Sequence, residues 1–205
     1  SNINMKNNDL TDTPPPVLFT LPELKILDLS SNSLKFKFDG IDKATKLEIL
    51  DLTQCDMESL DGIENIKSTV FRKLSVASNY LEGAVPPGLF SLISLQELDI
   101  SHNRFSGVFP SLIGNFTNLV RLRIFGNLFV GQIPVEIGNL VRLIDLLAAE
   151  NAFTGVLPDT LNSLSNLETL SIHQTTSASG IGGPLLPLTN LAQLTTLELD
   201  GNALI

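Results

Sequence analysis

Few residues in this sequence have the types and spacing that catalysis requires. Asp99, Ser101 and His102 stand close together and are the three residue types of a hydrolase triad. Ser101 and His102 are neighbours in the chain, however, and an extended strand would give them neither a shared cleft nor an oxyanion site. We interpret them as ordinary polar surface residues.

Metal-ligating and nucleophilic side chains are equally sparse. The chain has two histidines, His102 and His173, and one cysteine, Cys55. In the repeat described below the histidines stand three repeats apart, roughly 14 Å at the spacing of β-strands, whereas a metal ion needs nitrogen ligands at about 2 Å. There is no glycine-rich phosphate loop. The sequence therefore predicts no enzyme, no metal site and no cofactor.

Composition and charge narrow the possible partners. The 205 residues are 43% hydrophobic and 17% charged, which is enough apolar material for a core. The formal net charge of −9 repels nucleic-acid phosphates and anionic lipid, so we expect no nucleic-acid partner. No apolar run is long enough to span a membrane, so we expect no membrane insertion. A single cysteine fits a cytoplasmic protein or the interior of a secreted array.

An internal repeat dominates the sequence. The segments Leu24–Asn32 and Leu95–Asn103 both read LxxLxLxxN. The ninth residue, here called the anchor, recurs mostly every 24 residues, at positions 8, 32, 55, 79, 103, 127, 151, 175 and 202. We therefore predict one array over residues 1–205, with about eight repeats and a partial N-terminal one. The array ends within a repeat at Ile205, which predicts a longer native chain.

The frame explains how one repeat folds. Its LxL step alternates with period two, so it predicts a short strand whose leucines point inward. One repeat cannot bury these leucines alone, and stacked repeats form a parallel sheet over a common core. The anchor asparagine should be buried and pair with backbone groups that would otherwise cost about 1–3 kcal/mol each. Cys55 and Thr175 replace asparagine at two anchors.

These repeats resemble those of the leucine-rich-repeat family over nearly the whole chain. The residues after the anchor are similar to the plant-specific subclass, which is also found in bacteria and protists: LxGxxP recurs at Leu81–Pro86, Phe105–Pro110, Phe129–Pro134 and Phe153–Pro158. The resemblance implies an α/β solenoid, a right-handed superhelix with a concave parallel β-sheet, short second strands, and 3₁₀ or short helices on the convex side.

Three regions depart from this pattern. The first two full repeats lack the proline motif, at residues 34–40 and 57–62, so the second half of their coils should differ. The repeat after Thr175 is three residues longer, and we expect its stretch from Ser177 to Gly183 to bulge as a loop. The cysteine-rich caps of plant receptor ectodomains are absent from this sequence.

Candidate ligand-binding residues stand at the non-leucine positions of the strands. We expect the third, fifth, seventh and eighth residues of the frame to face solvent on the concave side. One region there combines two guanidinium groups with an apolar cluster, as binding hot spots do: Arg121, Arg123, Phe125, Leu147 and Ala149. Carboxylates surround it, since Glu97–Arg121–Asp145 and Asp99–Arg123 are cross-strand neighbours. The alternative interpretation is a surface salt ladder, worth about 0–1 kcal/mol per pair.

The main functional hypothesis is a non-catalytic recognition module, secreted or at the cell surface, that binds a protein, peptide or glycan with its concave face. The alternative is a targeting arm of a larger enzyme, such as a receptor kinase or a bacterial effector; a cytoplasmic location is the alternative to the cell surface. A purely structural spacer would bind no ligand. Ligand identity and oligomeric state are not encoded in the repeat.

Overall fold

The repeats stack into a right-handed solenoid with a parallel β-sheet on its concave side. The structure, a computed structural model, describes residues 1–174 and 180–205. Within these ranges the concave sheet has nine strands, ordered along the chain. They are Asn2–Asn4, Ile26–Asp28, Ile49–Asp51, Lys73–Ser75, Glu97–Asp99, Arg121–Arg123, Asp145–Leu147, Thr169–Ser171 and Thr196–Glu198.

The register of the strands aligns the repeat frame from coil to coil. Leu98 lies opposite Leu122, and Leu122 lies opposite Leu146. These inward leucines are at most 1% exposed, so they form a continuous apolar column along the array. A second column of aromatic rings runs beside it, in which Phe129 stacks on Phe105 and Phe153 at centroid distances of 6.4 and 6.2 Å.

The LxGxxP segments form a second set of short strands, as predicted. Four of them pair in parallel: Glu82–Gly83, Arg104–Val108, Leu128–Gly131 and Ala152–Phe153. Three more form a separate sheet further along the array: Gly155–Val156, Ile181–Gly183 and Ala203–Leu204. The motif glycine has a positive φ, +75° at Gly83 and at Gly131, a conformation that other residues adopt only under strain.

Short 3₁₀ helices close the convex side of the coils. The motif proline precedes the helix, because its fixed φ near −65° holds an extended residue before the turn, as at Pro86 and Pro134. The helices are Pro16–Thr20, Ile41–Lys43, Ile63–Asn65, Pro87–Ser91, Ser111–Asn115, Val135–Asn139, Asp159–Ser163 and Leu186–Leu188. In the described ranges no helix is long and apolar enough to cross a membrane.

The anchor asparagines are buried and join neighbouring coils, which confirms the prediction for this position. Asn103 is 8% exposed. Its amide donates to the carbonyl oxygens of Val76, Ile100 and Ser101 at 3.0–3.1 Å, and its Oδ1 accepts from the N–H of Leu81 at 3.2 Å. Asn127 and Asn151 repeat the same set of bonds. The anchor Thr175 lies outside the described residues.

The first two full repeats differ from the later ones, as predicted. Residues 33–39 and 56–60 form no strand, although the LxGxxP segments of the following repeats do. The coils there are joined through the concave sheet, where Ile26–Asp28 pairs with Ile49–Asp51.

The prediction of a loop from Ser177 to Gly183 is wrong for its last part, and residues 177–179 lie outside the described residues. Ile181–Gly183 is a strand that pairs with Gly155–Val156 on one side and with Ala203–Leu204 on the other. The reason is local, because Ile181 and Gly183 supply the leucine-type and glycine positions of the motif. Ile181 is accordingly 1% exposed, and Gly183 has a φ of +82°.

Candidate ligand-binding face

The structure brings the predicted patch together on three neighbouring strands. In the register, Glu97 is opposite Arg121 and Arg121 is opposite Asp145. One step further along the same strands, Asp99 is opposite Arg123, and Arg123 is opposite Leu147. All six side chains are half-buried on the concave side, because the leucine between them on each strand takes the inward direction.

The predicted ladder through Arg121 is formed. The Arg121 Nη1 lies 3.0 Å from Glu97 Oε1, and its Nε lies 3.0 Å from Asp145 Oδ2. Glu97 also receives Lys73, whose Nζ is 3.3 Å from Oε2. Partial burial raises the pKa of Glu97, but Lys73 and Arg121 together outweigh it and leave the pKa below its ordinary value. Arg121 is thus engaged by the protein itself.

The predicted pair between Asp99 and Arg123 is not formed. The Asp99 Oδ1 instead accepts from the backbone N–H of Ser101 at 3.0 Å and from its hydroxyl at 2.6 Å. Because Ser101 is only two residues away, the carboxylate of Asp99 finds both of its donors within its own coil. Among the described residues, no carboxylate lies within ion-pair distance of Arg123. The guanidinium of Arg123 can therefore pair with a carboxylate from outside the chain.

Asp99, Ser101 and His102 are not arranged as a catalytic triad. Ser101 is 2% exposed and its hydroxyl donates to Asp99, not to the imidazole of His102. The ring of His102 meets Phe125 edge-on, with centroids 4.7 Å apart and planes at 79°. These contacts show that Asp99 and Ser101 stabilise the local turn and that His102 packs against Phe125.

The seventh position of the frame is more enclosed than predicted. Ala149 is 4% exposed and contributes almost no surface, and Phe125 is half-buried against His102. The residue after the seventh position turns the chain, with a positive φ of 50° at His102 and 54° at Glu150. We attribute the burial to this turn, because the seventh side chain then packs against the adjacent coil. The apolar surface of the patch is reduced to Phe125 and Leu147.

A second line of charges, at the second position of the frame, was not predicted from the sequence. Glu48 Oε1 lies 3.2 Å from Lys25 Nζ, and Glu48 Oε2 lies 3.3 Å from Arg72 Nε. Hydrogen bonds from Lys25 and then Arg72 lower the pKa of Glu48. The alternation of lysine, glutamate and arginine at one frame position was the available signal. The two ladders together pair seven charged side chains of this face, and Arg123 lies outside both.

The buried anchor Cys55 is not a nucleophile. Its Sγ lies 3.2 Å from the carbonyl oxygen of Leu29, and burial raises the pKa of the thiol to about 11. A thiol in that state is unreactive at neutral pH. Within the described residues, no group of three histidine, cysteine, aspartate or glutamate side chains is placed to hold a metal ion.

Comparison with known proteins agrees with this geometry. The family model described as Leucine rich repeat matches residues 70–129. The chain is similar to the LRR ectodomain of the plant membrane receptor kinase GASSHO1/SCHENGEN3 from Arabidopsis thaliana, solved with CASPARIAN STRIP INTEGRITY FACTOR 2. The TM-score is 0.86 at 28% identity, over 98% of this chain and 24% of that one.

Two further structures are similar. One is a chain in the complex of the Arabidopsis receptor kinase HAESA with the peptide hormone IDA and the co-receptor SERK1, with a TM-score of 0.85 at 30% identity over 98% of this chain and 34% of that one. The other is a chain of the BIR3–SERK2 complex from Arabidopsis thaliana, with a TM-score of 0.56 at 32% identity over 65% of this chain and 69% of that one.

This chain spans 24% and 34% of the length of the GASSHO1/SCHENGEN3 and HAESA-complex chains. No curated protein matches the sequence. The repeat frame, the solenoid of paired strands and these likenesses agree: the chain belongs to the leucine-rich-repeat family, with repeats of the plant-specific type.

Proposed function

We propose that this chain is a non-catalytic recognition module whose concave face binds a peptide or protein ligand. The observation that carries the proposal is the guanidinium of Arg123, which has no carboxylate partner among the described residues and lies beside Leu147 on the neighbouring strand. Phe125, two residues further along, adds an aromatic surface. A cation and apolar side chains on a rigid sheet make a small hot spot.

The chemistry of this patch favours a ligand with a carboxylate next to an apolar side chain. A guanidinium pairs with a carboxylate through two parallel hydrogen bonds, which fixes orientation as well as affinity. Phe125 and Leu147 then receive the apolar group. Glu97, Asp99 and Asp145 border the patch and would repel a second acidic group. A neutral glycan would leave the charge of Arg123 without a carboxylate partner, so a peptide suits the patch better.

The likenesses support a ligand of this kind. HAESA was solved with the peptide hormone IDA, and another similar chain, at 26% identity and a TM-score of 0.77, is in the structure of the plant peptide hormone receptor RGFR1 with RGF2. The GASSHO1/SCHENGEN3 region is an ectodomain of a membrane receptor. The proposal therefore places residues 1–205, as one repeat array, at the cell surface.

The alternative is a module that serves as the recognition arm of a receptor kinase. The names of GASSHO1/SCHENGEN3 and HAESA favour it, because both are receptor kinases and this chain spans 24% and 34% of the chains in those structures. The test is the complete reading frame of the natural gene. A kinase domain downstream of the repeats would support the alternative, and a complete frame without one would contradict it.

The concave site is tested by screening a peptide library against the wild-type protein and then measuring the affinity of each hit for variants. We expect Arg123→Ala and Phe125→Ala each to weaken binding about tenfold or more, the loss typical of hot-spot residues. Arg142→Ala is the matched control, because Arg142 is exposed and lies outside the concave strands. If both patch variants bind every hit as tightly as the wild type, the proposed site is wrong.

A further inference from the structure

A groove separates the coils of the first two full repeats, away from the concave patch. It has a volume of about 690 Å³ and lies between residues 33–39 and residues 56–61. The apolar residues Leu34, Phe36 and Met57 lie along it, and each is at most 7% exposed. In later repeats this place is occupied by the paired second strands, such as Glu82–Gly83 with Arg104–Val108.

One recurring backbone hydrogen bond between coils is missing at the groove. The N–H after an anchor normally donates to the preceding coil, from Ser33 to Leu10 at 2.9 Å and from Tyr80 to Met57 at 2.8 Å. The equivalent bond would run from Asp56 to the carbonyl oxygen of Leu34, and it is not formed in the part of the chain described here. Asp56 has a positive φ of 55°, so its backbone turns away from that direction.

The cysteine at the anchor removes a second bond at the same place. The anchor asparagines after Asn8 accept from an N–H of the preceding coil, as Asn32 does from Leu10 at 3.1 Å and Asn79 does from Met57 at 2.9 Å. The anchor next to Leu34 is Cys55. Its thiol can donate a hydrogen bond, as the asparagine side-chain amide does, but it has no counterpart of the amide oxygen that accepts one. Within the described ranges, the N–H and the carbonyl oxygen of Leu34 therefore both lack a protein partner.

The segment on this side of the groove, residues 33–39, has the alternation of an extended chain but belongs to no strand. Along residues 33–39, buried and exposed side chains alternate strictly. The N–H of Ser33 and the carbonyl oxygen of Lys35 bond to the preceding coil, at Leu10 and Thr13. Since backbone groups alternate in direction along a strand, those of Leu34 and Phe36 point toward the groove. Such an edge is a template for an added strand.

The charges around the groove indicate what kind of strand fits. Four carboxylates and two lysines line it: Asp39, Asp56, Glu58, Asp61, Lys35 and Lys37. The whole chain also has a formal net charge of −9. A basic partner is therefore attracted both by the groove and by the rest of the molecule.

We propose that this groove binds an extended peptide as an added β-strand, and that the peptide alternates apolar with basic side chains. Its backbone pairs with Leu34 and Phe36, and its basic side chains meet Asp56, Glu58 and Asp61. Its apolar side chains point inward between the two coils, where the neighbouring side chains of Phe36 and Met57 are 7% and 3% exposed. The volume is within the range of about 300–1,000 Å³ that is usual for ligand sites. This site is separate from the concave patch and does not depend on it.

The probe is a peptide of about eight residues that alternates valine and lysine, long enough to extend along the whole edge. We expect saturable binding, and we expect amide hydrogen exchange at Leu34 and Phe36 to slow about tenfold or more when the site is filled. Two peptides serve as comparisons, one with glutamate in place of lysine and one with N-methyl groups on alternate residues. Both should bind more weakly.

Three variants separate this site from the concave one. Glu58→Lys should weaken the valine–lysine peptide by roughly threefold to tenfold, whereas Asp159→Lys, an exposed acidic residue outside the groove, should not. Cys55→Asn supplies the missing acceptor for Leu34 and should also weaken the peptide. Arg123→Ala should leave binding unchanged.

Several results would overturn the proposal. They are the absence of saturable binding, tighter binding of the glutamate peptide, unchanged exchange at Leu34 and Phe36, or loss of binding in Arg123→Ala. The exchange measurement uses the wild-type protein, so it decides the matter even if a variant fails to fold. A failure of this test leaves the concave site unaffected, since that site is assayed with other ligands and variants.

Discussion

Single residues at the anchor position decide whether neighbouring coils are joined. Asn103 bonds to Ile100 and Ser101 in its own coil and to Val76 and Leu81 in the preceding one, so one amide satisfies backbone groups of both. The thiol of Cys55 reaches the carbonyl oxygen of Leu29 but offers no comparable acceptor. The junction before Cys55 therefore lacks the acceptor that an asparagine provides at this position.

The first prediction concerns Asn103→Ala. This change leaves the buried N–H of Leu81 without its acceptor, whereas the carbonyl oxygens of Val76, Ile100 and Ser101 each keep a second donor, so we expect a loss of about 1–3 kcal/mol in the free energy of unfolding. Urea unfolding measures it. The matched control is Asn166→Ala, because Asn166 is exposed and its side chain donates one hydrogen bond, to Val141. Equal stability losses in the two variants would contradict the structural role of the anchor.

The strands of the concave sheet position charged side chains at regular intervals along the array. Consecutive strands place Lys73, Glu97, Arg121 and Asp145 in line, and each opposite pair is in contact. The spacing between parallel strands is short enough for these contacts because every coil has the same register. The ladder orders the side chains around the patch and leaves Arg123 as its uncommitted cation.

The second prediction is a pH dependence that originates in Glu97. Its pKa is lowered in the folded protein, so its ion pairs contribute fully above the unfolded value of about 4.3 and are lost as the pH falls through the lower, folded value. Glu97→Gln should remove this part of the acid sensitivity, with an effect of at most about 1 kcal/mol per pair, since the partners are partly solvated.

Urea unfolding of both proteins over a pH series from neutral to acid measures the difference. The control is Glu168→Gln, because Glu168 is exposed and makes no ion pair within the described ranges. Identical pH dependence in wild type and Glu97→Gln would show that the ladder does not couple protonation to folding.

The whole molecule is a linear stack in which each coil contacts its neighbours. The stability of such an array is a sum of repeat and interface contributions. A weak junction therefore lets the shorter block of coils on one side of it open more easily than the longer block on the other side. The junction between Leu34 and Asp56 lacks two of the recurring coil-to-coil bonds and is joined mainly through the concave strands. The coils before Cys55 therefore form the less firmly attached end of the described array.

The third prediction is unequal hydrogen exchange in the free protein. Amides in the strand Ile26–Asp28 should exchange faster than those in Arg121–Arg123, although both strands have a parallel partner on each side. Native-state exchange in low concentrations of urea measures the opening free energies directly. Cys55→Asn should narrow the difference. Equal opening free energies in the two strands would mean that the array opens as one unit.

Much of this architecture follows from the sequence alone, because local periodicity has a direct physical meaning. Period-two leucines determine which side of a strand is inside, and their recurrence mostly every 24 residues requires stacked coils. The same reasoning placed Glu97, Arg121 and Asp145 side by side, and their contacts are present in the structure.

The tertiary structure decided how side chains settle between coils. Frame positions do not say that Ala149 is buried or that Phe125 packs on His102. The groove is a further case, since the lost bonds of Leu34 depend on where the backbone of Asp56 lies. Periodicity specifies the direction of a side chain, whereas contacts between residues more than 20 positions apart depend on the curvature and turns of the assembled coil.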